Sequence, residues 1–235
     1  YLCTAPALWM FKGLLLAGLT VLILGVGPYR PIAIILCILL TFYQGLIRGF
    51  GYMNHSELAV LYAAYVLAVF PAADAFSLRR GKIVYAQPGL YAAPMLAVAF
   101  ILGMTYAFVS VHRVVASAPE IFLDSSILRY VASYSAQSDW NIQKYGLLVL
   151  DEPWLVLLLQ IGFPIVTLFE ILSPLCLINR RLRWIWLSVM VPFHFLTGFL
   201  MGIFFLYNLL LIFVFFTNIG RLFAPRLPQG SQLRA

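Results

Sequence analysis

The chain has 235 residues, of which 63% are hydrophobic and only 10% charged. This composition excludes an ordinary soluble domain and indicates a polytopic membrane protein in contact with lipid. The formal charge of +7 arises from 15 Lys and Arg against 8 Asp and Glu, and the bases are parcelled into short loops between apolar runs. They report topology rather than a nucleic-acid footprint, so no nucleic-acid partner is expected.

At this length one helical bundle is the natural count, and residues 1–235 read as a single transmembrane domain. The chain opens on Tyr1 with no basic segment ahead of its first apolar run. This predicts no signal peptide and a natural N-terminus that lies upstream or has been processed. Cys3, Cys37 and Cys176 lie in or beside apolar runs without CxxC spacing, as packing residues do.

The first span is expected from Ala5 to Val26, ending at the breaker Gly25-Val26-Gly27-Pro28. Tyr29-Arg30-Pro31 reads as a tight turn, with Pro31 suited to the first turn of the next helix. A second span follows from Ile32 to Ile47, and Arg48-Gly49-Phe50-Gly51 releases the chain into the polar tetrad Asn54-His55-Ser56-Glu57. The third span occupies Ser56 to Phe70 and stops at Pro71; a connector with Asp74, Arg79, Arg80 and Lys82 leads on. The fourth runs from Tyr91 to Val111 and delivers His112 and Arg113 at its end.

Val114 to Pro153 is the one long polar segment. Within it Leu123, Ile127, Tyr130 and Tyr134 recur at i, i+4, i+7 and i+11. That spacing predicts an amphipathic helix lying on the membrane or capping the bundle. The fifth span, Trp154 to Ile178, contains Pro164 and Pro174, so it should kink, and it buries Glu170. Asn179-Arg180-Arg181-Leu182-Arg183 forms a basic loop.

Trp184 to Phe216 is apolar throughout. As one straight helix it would reach roughly 50 Å, against a hydrocarbon core of about 30 Å. Pro192, Gly198 and Gly202 are natural break points, and a broken or re-entrant path is expected near His194 to Gly202. The fold expectation is therefore an all-α transmembrane bundle of about six to seven spans with an interfacial amphipathic helix in the long loop.

Loop charges orient this bundle. One face collects Arg30, Arg79, Arg80, Lys82, Arg180, Arg181 and Arg183, and the positive-inside rule assigns that face to the cytoplasm. The other carries Lys12, Arg48, Arg113, Arg129 and Lys144, diluted by six carboxylates: Glu57, Glu120, Asp124, Asp139, Asp151 and Glu152. The His55 tetrad, the His112-Arg113 pair and the long loop then share the non-cytoplasmic face.

Three histidines can carry chemistry. His55 opens the third span, His112 closes the fourth, and His194 lies within the last apolar run. An antiparallel bundle can bring the first two together beneath the long loop, where imidazoles suit proton exchange or hydrogen bonding to a quinone. Each residue also has a plainer reading. His55 can be a helix-end histidine bonded to a neighbour, Asn54 and Ser56 can cap the helix, and His112-Arg113 can snorkel to the interface.

Glu170, with apolar sequence on both sides, needs a partner. That partner can be a basic residue, a backbone group freed by Pro174, or a substrate. No HxxxH, HExxH or CxxC spacing occurs, so a metal site would require ligands from separate helices, and none is expected. Asn54-His55-Ser56 also matches an N-x-S sequon, but its place against the bilayer argues against glycosylation.

Three stretches taken together resemble a known family. NHSELAVLYAAYVLAVFPAADAFSL, TYAFVSVHRVVASAPEIFLDSSILRYV and PFHFLTGFLMGIFFLYNLLLIFVFF are similar, in order and spacing, to segments of vitamin K-dependent γ-carboxylases and bacterial HTTM-domain proteins. In the carboxylases a membrane-embedded base deprotonates vitamin K hydroquinone, and its oxygenation yields the base that removes a glutamate γ-proton. The resemblance implies that His55 matches an active-site histidine and that His112-Arg113 falls where the carboxylases have a Lys-Lys pair. Here that pair has no lysine, and arginine stays protonated. The chain also ends at Ala235 without the carboxylases' large lumenal portion.

The expectation is thus an HTTM-like fold with an outer-face pocket for a quinone or lipid. Asn54, His55, Glu57, Glu170 and His194 are its binding candidates, and carboxylation is not expected. The protein would be non-catalytic or weakly specialised, in contact with membrane lipids, and a candidate subunit of a larger membrane complex. The alternative is a membrane enzyme moving protons through His55 and His112 with Arg113 beside them. A small transporter is the weaker third reading, because neither an internal repeat nor paired broken helices appear in both halves.

Overall fold

The structure, a computed structural model, describes residues 5–49, 56–70, 88–117, 126–138 and 144–217. Asn54, His55, Leu123 and the Asp74–Lys82 connector lie outside the described residues. Among the described residues the fold is all-helical. Five helices are long and apolar enough to cross a membrane: Pro6–Ile23, Tyr29–Gly49, Ala92–Ala116, Pro153–Ile171 and Arg180–Met201. Two shorter apolar helices, Glu57–Val69 and Leu206–Phe216, accompany them.

Helices α1 (Ala5–Ile23) and α2 (Tyr29–Gly49) form a hairpin turned by Gly25 and Gly27, both at positive φ. A β-carbon at Gly18 would come within 2.6 Å of the Leu36 side chain, so the two helices approach closely there. Otherwise α1 is exposed along most of its length, as suits a helix bathed in lipid. Helix α3 (Ser56–Val69) returns along α2. The Tyr29 hydroxyl donates to the Leu67 carbonyl at 2.8 Å, and Gln44 donates to Glu57 at 2.8 Å towards the other end.

Helix α4 (Pro88–Ser117) runs further than the expected Tyr91 to Val111 and carries His112 and Arg113 inside it rather than at its end. Val98, Leu102, Tyr106 and Ser110, spaced at i+4, form its buried stripe. They meet α6 (Pro153–Ile171), α7 (Arg180–Met201) and α8 (Leu206–Phe216). At the centre Trp186 stacks on Phe216 with centroids 5.0 Å apart, meets Tyr106 edge-on, and donates its indole N–H to the Phe169 carbonyl.

The expected fifth span, Trp154 to Ile178, is two pieces: α6 ends at Ile171 and a 3-10 turn covers Ser173–Leu177. Pro174 has no N–H with which to extend the helix. The Ser173 hydroxyl lies between the carbonyls of Glu170 at 2.6 Å and Gly103 at 2.5 Å, so it ties the helix end to α4. A β-carbon at Gly103 would rest in van der Waals contact with the Pro174 backbone, 3.4 Å away, so the two segments pack closely here.

Of the three expected break points in Trp184 to Phe216 only Gly202 ends a helix; Pro192 and Gly198 lie within the continuous Arg180–Met201 helix. Helix α7 closes at Gly202 in the left-handed region (φ 69°), and the 11-residue α8 begins at Leu206 after a short linker. The contacts Trp186–Phe216 and His194–Phe205 show that α8 folds back along α7.

The amphipathic helix of the long loop is α5 (Ser126–Gln137), but its buried face differs from the expected one. Ile127, Val131 and Ser135 face inward, whereas Tyr130 and Tyr134 are exposed and lie against each other. The i+4 row Ile127, Val131 and Ser135 is less bulky than a face carrying two tyrosines and packs against Val149 and Leu155. With the 3-10 turn Tyr145–Leu150, α5 caps the ends of α6 and α7 through Ile127, Val131, Val149, Leu155, Leu200 and Met201.

Gly146 is the tightest point of that cap: a β-carbon there would lie 2.3 Å from the Leu200 carbonyl oxygen and 2.7 Å from the Ser135 β-carbon. Gly146→Ala is expected to destabilise the protein by about 1–3 kcal/mol, as overpacking does. Gly162→Ala, where nothing lies within 4 Å, should leave stability unchanged or slightly raised. Thermal unfolding of both variants in the same detergent checks this.

Candidate functional site

Polar side chains cluster inside the bundle. Tyr106, Ser110 and Arg113 lie at i, i+4 and i+7 on one face of α4. Opposite them stand Thr167 and Glu170 of α6, His194 of α7 and Asn208 of α8. Ser110, Thr167, Glu170 and His194 are all buried. We refer to this group as the seam.

Its first part is an ion pair. Arg113 Nη1 donates to Glu170 Oε2 at 2.6 Å and to Thr167 Oγ1 at 3.1 Å, while the guanidinium lies 5.0 Å from the Phe163 ring centroid. Ser110 Oγ donates to the same carboxylate oxygen, and Thr167 Oγ1 donates back to the Phe163 carbonyl. The Arg113 side chain keeps 20% of its surface, whereas Glu170 keeps 5%. The arginine therefore enters from the edge, and the carboxylate is its interior partner. Of the partners open to Glu170 from the sequence, the structure selects the basic residue.

The second part centres on Tyr106. Its hydroxyl lies 2.7 Å from His194 Nε2, and nearby on α8 the Asn208 side-chain oxygen is buried without a hydrogen-bond partner among the described residues. Aromatic rings enclose the imidazole, with Phe205 at 5.2 Å, Phe193 at 5.4 Å and Tyr106 at 5.7 Å between centroids. His194 lies 14 residues into α7, roughly 21 Å along the helix axis, and so reaches the interior of its span.

Two other expected site residues, His112 and Glu57, lie away from the seam. His112 is exposed on α4. Because α4 continues through the pair, a turn of about 100° separates consecutive side chains, and Arg113 points in while His112 points out. Glu57 accepts from Gln44 on the α2–α3 hairpin. Asn54 and His55 lie outside the described residues.

The structure thus brings together Arg113, Glu170 and His194. It adds four residues that the sequence reading passed over: Tyr106, Ser110, Thr167 and Asn208. The available signal was periodicity, since Tyr106, Ser110 and Arg113 share one helical face and Thr167 precedes Glu170 by three.

Chemically the seam offers a carboxylate held by two donors and an imidazole–phenol pair able to donate or accept. The chain matches no known family model, no curated protein and no solved structure.

The ion pair makes a defined prediction. Arg113→Met or Glu170→Met alone leaves an unpaired buried group and is expected to cost about 3 kcal/mol, the lower end for a buried pair because Arg113 is partly exposed. The double variant should lie within about 1 kcal/mol of the native protein, because both desolvation penalties vanish together. Unfolding in mixed micelles, read as a double-mutant cycle, measures the coupling.

Proposed function

We propose that the chain is an HTTM-like integral membrane protein whose seam between α4, α6, α7 and α8 receives a quinone or lipid. It acts as a binding or assembly subunit and not as a carboxylase. The observation behind this reading is the concentration of Tyr106, Ser110, Arg113, Thr167, Glu170, His194 and Asn208 inside an otherwise apolar bundle. Ionisable groups within spans are costly, and they commonly mark ligand or proton pathways. A lipophilic ligand reaches such a place through the bilayer, and a few polar groups then fix its head while apolar rings hold its body. The long exposed apolar face of α1 supports contact with lipid along the outside.

The enzyme reading, with proton transfer through His55 and His112, draws less support from the geometry. His112 is exposed, and Arg113 is committed to Glu170. In the binding reading the interior groups Glu170 and His194 take the roles first sought at the outer face.

Native purification followed by mass spectrometry of extracted quinones and lipids tests the reading. The native protein should carry one enriched lipophilic species relative to bulk membrane. His194→Phe, which keeps the aromatic volume, should lose about tenfold of that enrichment. An extract indistinguishable from bulk lipid, or an unchanged profile in the variant, would overturn it.

A further inference from the structure

The chain passes from α6 into α7 through a strongly basic surface. Glu170 is the last acidic side chain in the sequence, and every charged side chain after it is an arginine: Arg180, Arg181, Arg183, Arg221, Arg226 and Arg234. The first three stand at the start of α7, where Arg180 and Arg181 are exposed and Arg183 is half-buried. None of them meets a carboxylate among the described residues, whose one ion pair, Arg113–Glu170, lies inside the bundle.

Local structure holds this charge in place. The 3-10 turn Ser173–Leu177 brings Cys176 beside α7, and Arg183 Nε donates to the Cys176 carbonyl at 3.4 Å. Arg183 is thereby tethered at one nitrogen, with its remaining N–H groups left for an outside acceptor. The Asn179 side chain caps the helix through the Arg181 N–H, which fixes the backbone from which the three side chains rise. Phe216, the last residue of α8, stacks on Trp186, so the chain leaves α8 beside the start of α7. The sequence that follows adds positive charge and no acidic side chain.

The arginines are set among apolar side chains. Ile178, at 79%, is the most exposed of the large apolar residues described, and Leu175, Leu182, Trp184 and Ile185 are exposed around the same turn. An exposed Trp among aliphatic side chains marks the level at which hydrocarbon gives way to headgroups. A soluble acidic partner would have to cover those side chains, whereas lipid already does. At that level a guanidinium meets phosphate, which it binds through paired N–H donors. A zwitterionic lipid brings its own ammonium with the phosphate, so a basic surface favours lipids of net negative charge.

We propose that the turn from Ile178 to Trp184 binds the headgroups of anionic phospholipids. Arg180, Arg181 and Arg183 contact phosphate, while Ile178, Leu182 and Trp184 rest against the acyl chains. This surface is separate from the seam, whose polar groups lie inside the bundle, and it stands whether or not the seam holds a ligand.

The test uses the full chain in a neutral detergent. The protein is equilibrated with equal amounts of dioleoylphosphatidylglycerol and dioleoylphosphatidylcholine and washed, and the retained lipid is quantified by mass spectrometry. Matched tails confine the comparison to the headgroup. Phosphatidylglycerol should be enriched about fivefold, and the ratio should fall as salt rises. Arg180→Gln/Arg181→Gln, which alters two exposed side chains, should bring the ratio close to parity. Each single substitution should about halve it and serves if the double variant does not fold. Lys12→Gln removes a charge that lies over Trp9 on the peripheral helix α1 and should leave the ratio unchanged.

Equal retention of the two lipids by the native protein would reduce the arginines to a topology signal and overturn the proposal. A preference that survives the double substitution overturns it as well, as does a loss in Lys12→Gln equal to that in Arg180→Gln. Lipid held at the seam is common to all of these variants, so each of these outcomes leaves the reading of the seam untouched.

Discussion

An ion pair inside a greasy bundle constrains everything around it. Arg113 and Glu170 come from helices separated by the long loop, and neither charge is tolerable alone at that depth. Their meeting fixes the rotation of α4 against α6, because only one face of each helix can turn inward. With that rotation set, Tyr106 and Ser110 follow Arg113 into the interior, and His112 is carried outward. The apolar packing around Trp186, Met190 and Ile212 is non-directional, and the polar contacts add a directional constraint to it.

The same physics explains the ends of the helices. In hydrocarbon every backbone group must find a partner within the protein, so helices stop only where something replaces the missing bonds. At the end of α6 the Ser173 hydroxyl and the following 3-10 turn supply that replacement. At the start of α7 the Asn179 side chain accepts from the Arg181 N–H at 2.8 Å. At the end of α7, Gly202 adopts the left-handed conformation and its N–H returns to the Gly198 carbonyl.

Much of the architecture was legible in the residues, because hydrophobic runs bounded by Gly and Pro read directly as spans. The burial of Glu170 and the break near Gly202 follow from that pattern. The end of α4 was not legible: Val114, Val115 and Ala116 follow His112-Arg113, and nothing local marks a stop before Ser117. The inward face of α5 was legible at Ile127 but not beyond it, because Tyr130 and Tyr134 outweigh Val131 and Ser135 on a helical wheel although the less bulky pair is the one that is buried. The seam itself was only half visible. Charged residues such as Glu170 stand out in apolar sequence, whereas Tyr106, Ser110 and Asn208 look ordinary until their neighbours on other helices are known.

The turn between α7 and α8 has a consequence for biogenesis. Residues 202–205 are irregular backbone, and such backbone partitions poorly into lipid unless protein surrounds it. Ile203 packs against the cap formed by α5 and the Tyr145–Leu150 turn, and the Leu200 carbonyl rests over Gly146. The cap is also synthesised earlier than the segment it shelters. During insertion the final hairpin can therefore dock onto a finished surface, and a ribosome delivering α8 before that surface has formed would release a helix of roughly 16 Å, too short to span the bilayer by itself.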